Sequence, residues 1–490
     1  MSDIRIAYYN KTDERVINDL YNYYAKLENW CSDPAIIEEK IFNGDLHSGI
    51  NYSVSTNIGV PHMAHFFSSL DVRKTSAWSK YNYIVRELNN FDEPIQADVL
   101  ILHVDILIFL TDDEVEKILS SNVKILIDGA FEAFVYPYYY PILKLFVDQY
   151  QPQQELYFVV GTHKINDNNE FEKAFKDYTG VNLIHYDYFR VNEAIVGSSG
   201  LNNHHMDDPL ITNYVTEDII KENFYSTKTK DFLCLNNRPR FHRMALVEKI
   251  KELDLLENNY VSRRWQWPSK KHIVQPLIRE LYFADEHSDR MLDELRIYNE
   301  TPASLLQKLK AFPNQIIIND LEENVEVNIT KDNSPDLLDD RSFSNTIYKN
   351  SYYTIAVETY YESSFIDGYP KVLFDFDYTP SRSFLTEKVF KPIQYGHMFI
   401  PFGMKGTMKA LEELGYENFH EEFNCDDTYD IHDDVSVRYN TFLDIIQNFD
   451  KTRITDKTLE KILNNYRLFY SKKNIYESLD TFYTNFLGMK

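Results

Sequence analysis

Residues 98–114 read DVLILHVDILIFLTDDE, and this stretch sets the fold class. Asp98–Leu110 is rich in Val, Ile and Leu, the pattern of a strand buried on both faces of a parallel sheet. Thr111-Asp112-Asp113-Glu114 follows as a capping box, which predicts a helix over Glu114–Ser120. Val123–Asp128 then reads as the next buried strand. Working outward, Ile4–Tyr9, Glu155–Gly161 and Val181–His185 read as further strands. Asp33–Phe42 reads as a helix, with Asp33 as cap and Pro34 in the first turn. Strands alternating with helices imply βαβ units and a mostly parallel sheet.

The polar stretch 197–208 (GSSGLNNHHMDD) marks a boundary or a loop, and the pattern restarts beyond it. Strands are expected at Asp231–Leu235, Gln315–Ile318, Tyr352–Val357 and His397–Pro401. Helices are expected at Arg243–Leu253, Thr386–Gly396 and Thr407–Leu414, the last closed by Gly415. Leu321–Arg341 is acidic and irregular, and Val435–Leu487 reads as helical. The expectation is two α/β halves joined near 200–230, with a helical tail.

The length, 490 residues, corresponds to roughly three units of about 150 residues each. A chain 43% hydrophobic and 26% charged can fill more than one core, which excludes disordered, collagen-like and coiled-coil classes. No apolar run reaches the ~18 residues of a membrane helix; the longest is broken by His103 and Asp105. The start, MSDIRIAYYN, carries no secretory pattern, and Cys31, Cys234 and Cys425 are too scattered for a disulfide framework or a zinc site. A reducing, cytoplasmic setting with no membrane contact is the expectation. The chain lacks the G-x-G-x-x-G, Walker A, H-E-x-x-H and G-x-S-x-G patterns.

The net charge of −25 opposes a general polyanion-binding role. Residues 226–280 nevertheless hold twelve basic side chains against six acidic ones, an island that suits an anionic ligand or a set of solvated helix faces. Within it, DFLCLNNRPRFHR (231–243) ends a strand and sets Arg238, Arg240, His242 and Arg243 at a strand-to-helix turn. Guanidinium groups grip phosphate oxygens bidentately, and a helix N-terminus adds backbone donors. A solvated basic turn is the plainer alternative. The second constellation joins YYTIAVE (352–358) to SFLTEKVFKPIQYGHMFIPFG (383–403). Glu358 sits at a strand end, Thr386 can cap a helix, and Glu387 and Lys388 fall in its first turn. Lys388 can meet a diphosphate there, and a neighbouring carboxylate can hold sugar hydroxyls. An ordinary capped helix with surface charges fits equally well.

These motifs carry a resemblance. A strand-Glu, then T-E-K-V-F, then a hydrophobic strand and Gly403, is similar to the donor half of the family 10 glycosyltransferases, the α1,3/4-fucosyltransferases. Asn237-Arg238-Pro239-Arg240-Phe241-His242-Arg243, Thr386–Ile393 and Leu414–Phe419 also resemble phage-encoded relatives of that group. The resemblance covers about residues 228–450. Where the family has Asn-Ser after its Glu, this chain has Thr359-Tyr360, which opens the identity of sugar and base.

The resemblance implies a GT-B fold: two Rossmann-like domains facing a central cleft, an acceptor domain over 1–225, a nucleotide-sugar domain over 226–435 and a helical tail over 436–490 packing back on the body. It implies an inverting glycosyltransferase using a UDP- or GDP-linked sugar, with no cofactor and no essential metal. Glu358 and Glu387 would hold sugar and ribose. Lys388 and an Arg of the 238–243 turn would hold the diphosphate. The phage-like motifs suggest a hydroxylated pyrimidine of phage DNA as acceptor, reached through the basic patch from Arg238 to Arg279, and a pentose such as arabinose or a hexose as the sugar. The alternatives are a glycan or protein acceptor, or a non-catalytic nucleotide-sugar-fold module.

The acceptor hydroxyl needs a general base. Glu132 and Asp128, just past the Val123–Asp128 strand, are the candidates, with Glu132 preferred and a structural role open for each. His62, His65 and Asp71 are weaker ones. Asp375-Phe376-Asp377, His204-His205 with Asp207-Asp208, the sequons at Asn299 and Asn328, and Trp265 and Trp267 beside Arg263 and Arg264 add no firm chemistry.

Overall fold

The computed structural model describes residues 2–9, 63, 79–130, 139–164, 169–199, 215–236, 241–256, 259–263, 346–358, 361, 382–471 and 473–489. The first half runs β1 (Ser2–Tyr9), β2 (Tyr81–Leu88), β3 (Val99–His103), α1 (Asp112–Leu119), β4 (Lys124–Gly129), α2 (Tyr139–Tyr150), β5 (Leu156–Val160), β6 (His163–Lys164), α3 (Glu170–Thr179), β7 (Asn182–His185) and α4 (Tyr188–Ser199). Six of these strands form one sheet in the order β2-β1-β3-β4-β5-β7, every pairing parallel. All five residues of β3 are buried, as its unbroken apolar sequence requires.

The 98–110 run is not one strand. β3 ends at His103 and the chain coils into a 3₁₀ turn over Val104–Phe109. The reason lies in the partners: β1 pairs only with Val99–Ile101, and β4 reaches only to His103. Beyond that edge Val104, Ile106 and Leu107 are buried in a compact turn instead. The capping box forms as read. Thr111 Oγ1 accepts from the Glu114 amide at 3.3 Å, and Glu114 accepts from the Thr111 amide at 2.7 Å. The helix it caps begins at Asp112, two residues earlier than the sequence suggests.

The second half runs α5 (Glu217–Tyr225), β8 (Lys230–Asn236), α6 (Phe241–Glu252), β9 (Tyr260–Arg263), α7 (Thr346–Asn350), β10 (Ser351–Val357), β11 (Arg382–Ser383), α8 (Glu387–Gln394), β12 (Met398–Phe402) and α9 (Thr407–Glu413). Its sheet has the order β12-β10-β8-β9, again all parallel. The tail adds α10 (His420–Phe423), α11 (Thr428–Ile431), α12 (Val435–Gln447), α13 (Asp456–Phe469), a π-helical turn at Lys473–Glu477 and α14 (Ser478–Leu487). The protein is thus an α/β chain with two parallel sheets. Among the described residues no helix is long and apolar enough to cross a membrane.

Both sheets have a topological switch point, where successive connections leave in opposite directions. In the first sheet it falls between β1 and β3; in the second, between β8 and β10. In open α/β sheets the carboxyl ends flanking that point leave a crevice where ligands bind.

Two devices join the halves. The β6 residues pair antiparallel with β11, so a short strap leaves the carboxyl end of β5 and meets the chain leading into α8. Gly161 makes the approach possible: a Cβ there would lie 2.1 Å from the Ala130 carbonyl, with the Phe384 ring 3.5 Å away on another side. The second device is the tail. Asp480 of α14 accepts from Ser79 Oγ at 2.6 Å, from the Lys80 amide at 2.7 Å and from the Tyr83 hydroxyl at 2.7 Å. Lys124 Nζ donates to the Phe486 carbonyl at 2.6 Å.

Candidate functional site

The carboxyl ends of β8 and β10 set the scene. β10 stops at Val357, and the Glu358 amide extends its pairing by donating to the Phe402 carbonyl at 2.9 Å. Glu358 is therefore the first residue past the strand at the switch point. It is 1% exposed, so its carboxylate must be satisfied inside the protein. Thr386 does this twice. Its amide donates to Oε1 at 2.9 Å and its hydroxyl to Oε2 at 2.5 Å. Burial pushes the Glu358 carboxyl above its ordinary value, while Lys388 and the two Thr386 donors pull the other way.

Two side chains from α6 hold the Glu358 carbonyl. His242 Nε2 lies 3.0 Å from it and Arg243 Nη2 donates at 2.9 Å. A carbonyl only accepts, so His242 carries its proton on Nε2. Gly403, past β12, closes the other side: a Cβ there would sit 2.8 Å from Thr407 Oγ1 and 3.1 Å from Glu358 Cβ. Glu358 is gripped at its amide, its carbonyl and both carboxylate oxygens.

This grip positions α8. Thr386 is its N-cap, with the hydroxyl accepting from the Lys388 amide at 3.4 Å. Glu387 and Lys388 occupy the first turn and pair with each other through Glu387 Oε1 and Lys388 Nζ, which also reaches Thr386 Oγ1 at 3.3 Å. Both are partly exposed, at 28% and 23% of their side chains. Burial works against the Glu387 charge, yet Lys388 and Lys391 hold its carboxyl down at about 2. Burial lowers the Lys388 amine, with Arg243 adding repulsion and Glu387 and Glu358 opposing. At the α8 N-terminus Arg243 and Lys388 balance Glu358 and Glu387, and Lys391, in the last turn of α8, adds a positive charge that acts on Glu387. An ammonium beside the amides of a helix N-terminus is chemistry for an anion.

Of the expected donor residues, the structure brings together Arg243, Glu358, Thr386, Glu387 and Lys388. Two take different positions from those the resemblance implies. Glu358 spends its carboxylate on Thr386. Arg243 is 2% exposed and clasps a backbone carbonyl, because α6 starts at Phe241 and turns that side chain inward. Arg238 and Arg240 lie outside the described residues, as does most of the basic patch to Arg279.

On the first sheet, Asp128 is wholly buried; its carboxylate accepts from the Met63 amide at 2.7 Å and the Ala130 amide at 2.9 Å. That is the geometry of a loop anchor. Glu132 lies outside the described residues, as do His62, His65, Asp71, His204, His205, Asp375 and Asp377. In the sequence His103 only interrupts an apolar run. It proves to end β3 at the first sheet's switch point, with Asp128 as its register partner on β4. His242 was read only as part of a basic turn; its carbonyl partner 116 residues away gave no local signal. Among the described residues no group of three or more His, Cys, Asp or Glu gathers as a metal site. Compared with protein-family models, with curated proteins and with solved structures, the chain finds no match. The reading of the site therefore rests on its geometry.

Proposed function

We propose that the protein is a glycosyltransferase of GT-B type that takes a nucleotide-sugar donor at the switch point of its second sheet. One observation carries the reading: Lys388 and the first-turn amides of α8 stand at the carboxyl edge of β10, on a base built from Glu358, Thr386, His242 and Arg243. The donor diphosphate would lie across the α8 N-terminus against Lys388. As the sugar–oxygen bond breaks, negative charge grows on the leaving diphosphate, and a fixed ammonium with helix-end amides stabilises it without reorganising. Glu387, partly exposed beside Lys388, is the carboxylate in reach of sugar or ribose hydroxyls. Attack by an acceptor hydroxyl from the opposite face would invert the anomeric carbon. Its proton would pass to a base of the first half, for which Glu132 is the candidate read from the sequence.

For the acceptor, the resemblance of the 237–243 and 386–393 motifs to phage-encoded enzymes suggests a hydroxylated pyrimidine in phage DNA in the host cytoplasm; the basic balance of residues 226–280 is compatible with DNA and the net charge of −25 opposes it. A glycan or protein hydroxyl is the competing acceptor, and a fold that binds the nucleotide without transfer is the competing role. The test is thermal shift with UDP, GDP, CDP and ADP, on the wild type and on Lys388→Ala. A nucleotide at 100 times its dissociation constant adds about 2.7 kcal/mol. Stabilisation by one nucleotide, lost in the variant, supports the donor site and selects the sugar series to try on modified DNA and on glycans. No shift with any nucleotide removes the donor-site reading. Binding without transfer to any acceptor favours the binding module.

A further inference from the structure

A second cluster of charges lies at the seam between the halves, away from Lys388. His163 is on β6, the strap that leaves β5. Its Nδ1 lies 2.9 Å from Asp187 Oδ1, and its Nε2 faces Glu413 Oε2 at 3.5 Å. Asp187 belongs to the first half, between β7 and α4; Glu413 ends α9 in the second half. Arg190 of α4 completes the group. It faces Asp187 Oδ2 at 3.5 Å and reaches into the tail, to Asn474 Oδ1 and to Ser478 Oγ at 3.2 Å. His163, Asp187 and Arg190 are all buried to about the same degree, with 12–15% of their side chains exposed, whereas Glu413 keeps 35%.

A second histidine lies beside the group: His185 of β7 acts on the Asp187 charge and is itself paired with Glu172 of α3 at 2.8 Å, its other ring nitrogen 2.8 Å from Thr162 Oγ1. Within the group of four, His163 is the member whose charge can move. Two carboxylates and one guanidinium leave an excess negative charge, and an imidazolium at His163 cancels it. Asp187 has Arg190 as a second partner; Glu413, in this group, has only His163. When His163 is neutral, one ring nitrogen still serves Asp187, and Glu413 has lost its counter-charge and lies next to solvent. The strap transmits the difference. His163 is the register partner of Ser383, Ser383 Oγ lies 3.2 Å from Thr407 Oγ1 of α9, and Thr386 follows three residues later.

We infer that His163 is a proton-operated latch between the two halves, clamping Glu413 to the first sheet when protonated and releasing it when neutral. Geometry and charge balance carry this, and it stands whether or not α8 takes a nucleotide. Burial opposes the charged ring, but Asp187 and then Glu413 raise its pKa above the ordinary value, with Arg190 pulling back. The sign follows. A histidine whose folded pKa is raised contributes stability that is full below its unfolded value and is lost as pH rises through the folded one.

The experiment uses the full chain. The His163 ring is titrated by NMR, and amide hydrogen exchange of 163–164 and 382–383 is followed at one pH below and one pH above the midpoint so found, corrected for intrinsic exchange rates. The wild type is expected to titrate above the ordinary histidine value and to lose protection of the strap several-fold as the ring deprotonates. Glu413→Gln is expected to lower the His163 midpoint and flatten the exchange profile. His163→Gln, which keeps a donor for Asp187 and carries no charge, is expected to leave the strap open at both pH values. A wild-type midpoint at or below the ordinary histidine value, or the same pH profile in wild type and Glu413→Gln, overturns the latch. The melting temperatures of the variants, taken above the wild-type His163 midpoint that the NMR titration gives, where the latch is open, separate this effect from general loss of fold: they should match the wild type.

Discussion

At the scale of single residues, the second sheet's edge separates side chains that build, such as Glu358, from side chains left partly exposed, such as Glu387 and Lys388. Glu358 builds. Replacing it by Gln puts an amide donor against the Thr386 amide or hydroxyl, both of which now donate. A buried donor left without an acceptor costs about 1–3 kcal/mol, so Glu358→Gln should lower the unfolding free energy read from urea titration by that amount. Lys388→Ala should behave oppositely: close to wild-type stability, with nucleotide stabilisation gone, since its ammonium is partly exposed. Gly403→Ala tests the packing beneath. Its methyl would press on Thr407 Oγ1 and Glu358 Cβ, and overpacking of this kind costs about 1–3 kcal/mol. An unchanged denaturation curve for Gly403→Ala would show that the wall next to Glu358 yields freely. None of this division was legible from the residues alone. T-E-K at a helix start suits an anion site and an ordinary capped helix alike, and that Glu358 meets a threonine depends on how deep β10 ends.

At the scale of elements, runs of buried residues were the most readable part of the chain. β3, β4, β5, β8, β10 and β12 are short apolar stretches, and burial on both faces leaves little room for another assignment. β2 is hard to read for the complementary reason. It is an edge strand, and YNYIVREL shows burial only at Tyr83 and Leu88, so no run or alternation announces it. The opposite edge of the second sheet holds an element-scale prediction. His397 joins α8 to β12 and stitches them to β10: Nε2 lies 2.9 Å from the Ser351 carbonyl and Nδ1 lies 2.8 Å from Thr354 Oγ1. The carbonyl fixes the proton on Nε2, leaving Nδ1 to accept from the threonine, so the ring is neutral. Burial lowers its pKa to about 3, with the Ser351 carbonyl opposing. A histidine depressed on folding gives stability that is present above pH 6.5 and is lost as pH falls toward the folded value. By pH 4.5 that loss is about 2–3 kcal/mol. Urea titrations from pH 7 to 4.5 should show this acid limb in the wild type and a shallower one in His397→Gln. Equal slopes in both would place the acid sensitivity elsewhere.

At the scale of the whole molecule, the chain closes on itself. The tail's helical character was legible, because its apolar residues recur at helical spacing. Its destination was not. Asp480 sits in an ordinary-looking amphipathic helix, and its three donors come from Ser79, Lys80 and Tyr83, about 400 residues away. That return gives stability and ligand binding separate handles. Asp480→Asn keeps the size of the side chain and turns one acceptor into a donor, aimed either at the Lys80 amide or at the Ser79 and Tyr83 hydroxyls. Leaving a buried donor unmatched costs about 1–3 kcal/mol and weakens the hold of α14 on the first sheet. Limited proteolysis should then cut first within the segment between α13 and α14, and the melting temperature should fall. The donors to Asp480 come from Ser79, Lys80 and Tyr83 of the first half, so a nucleotide that stabilises the wild type through Lys388 should stabilise Asp480→Asn by the same increment. Lys388→Ala should show the reverse pair of outcomes. If Asp480→Asn instead abolished the nucleotide increment while the protein stayed folded, the tail would be part of the binding apparatus, and the site could no longer be assigned to the second sheet alone.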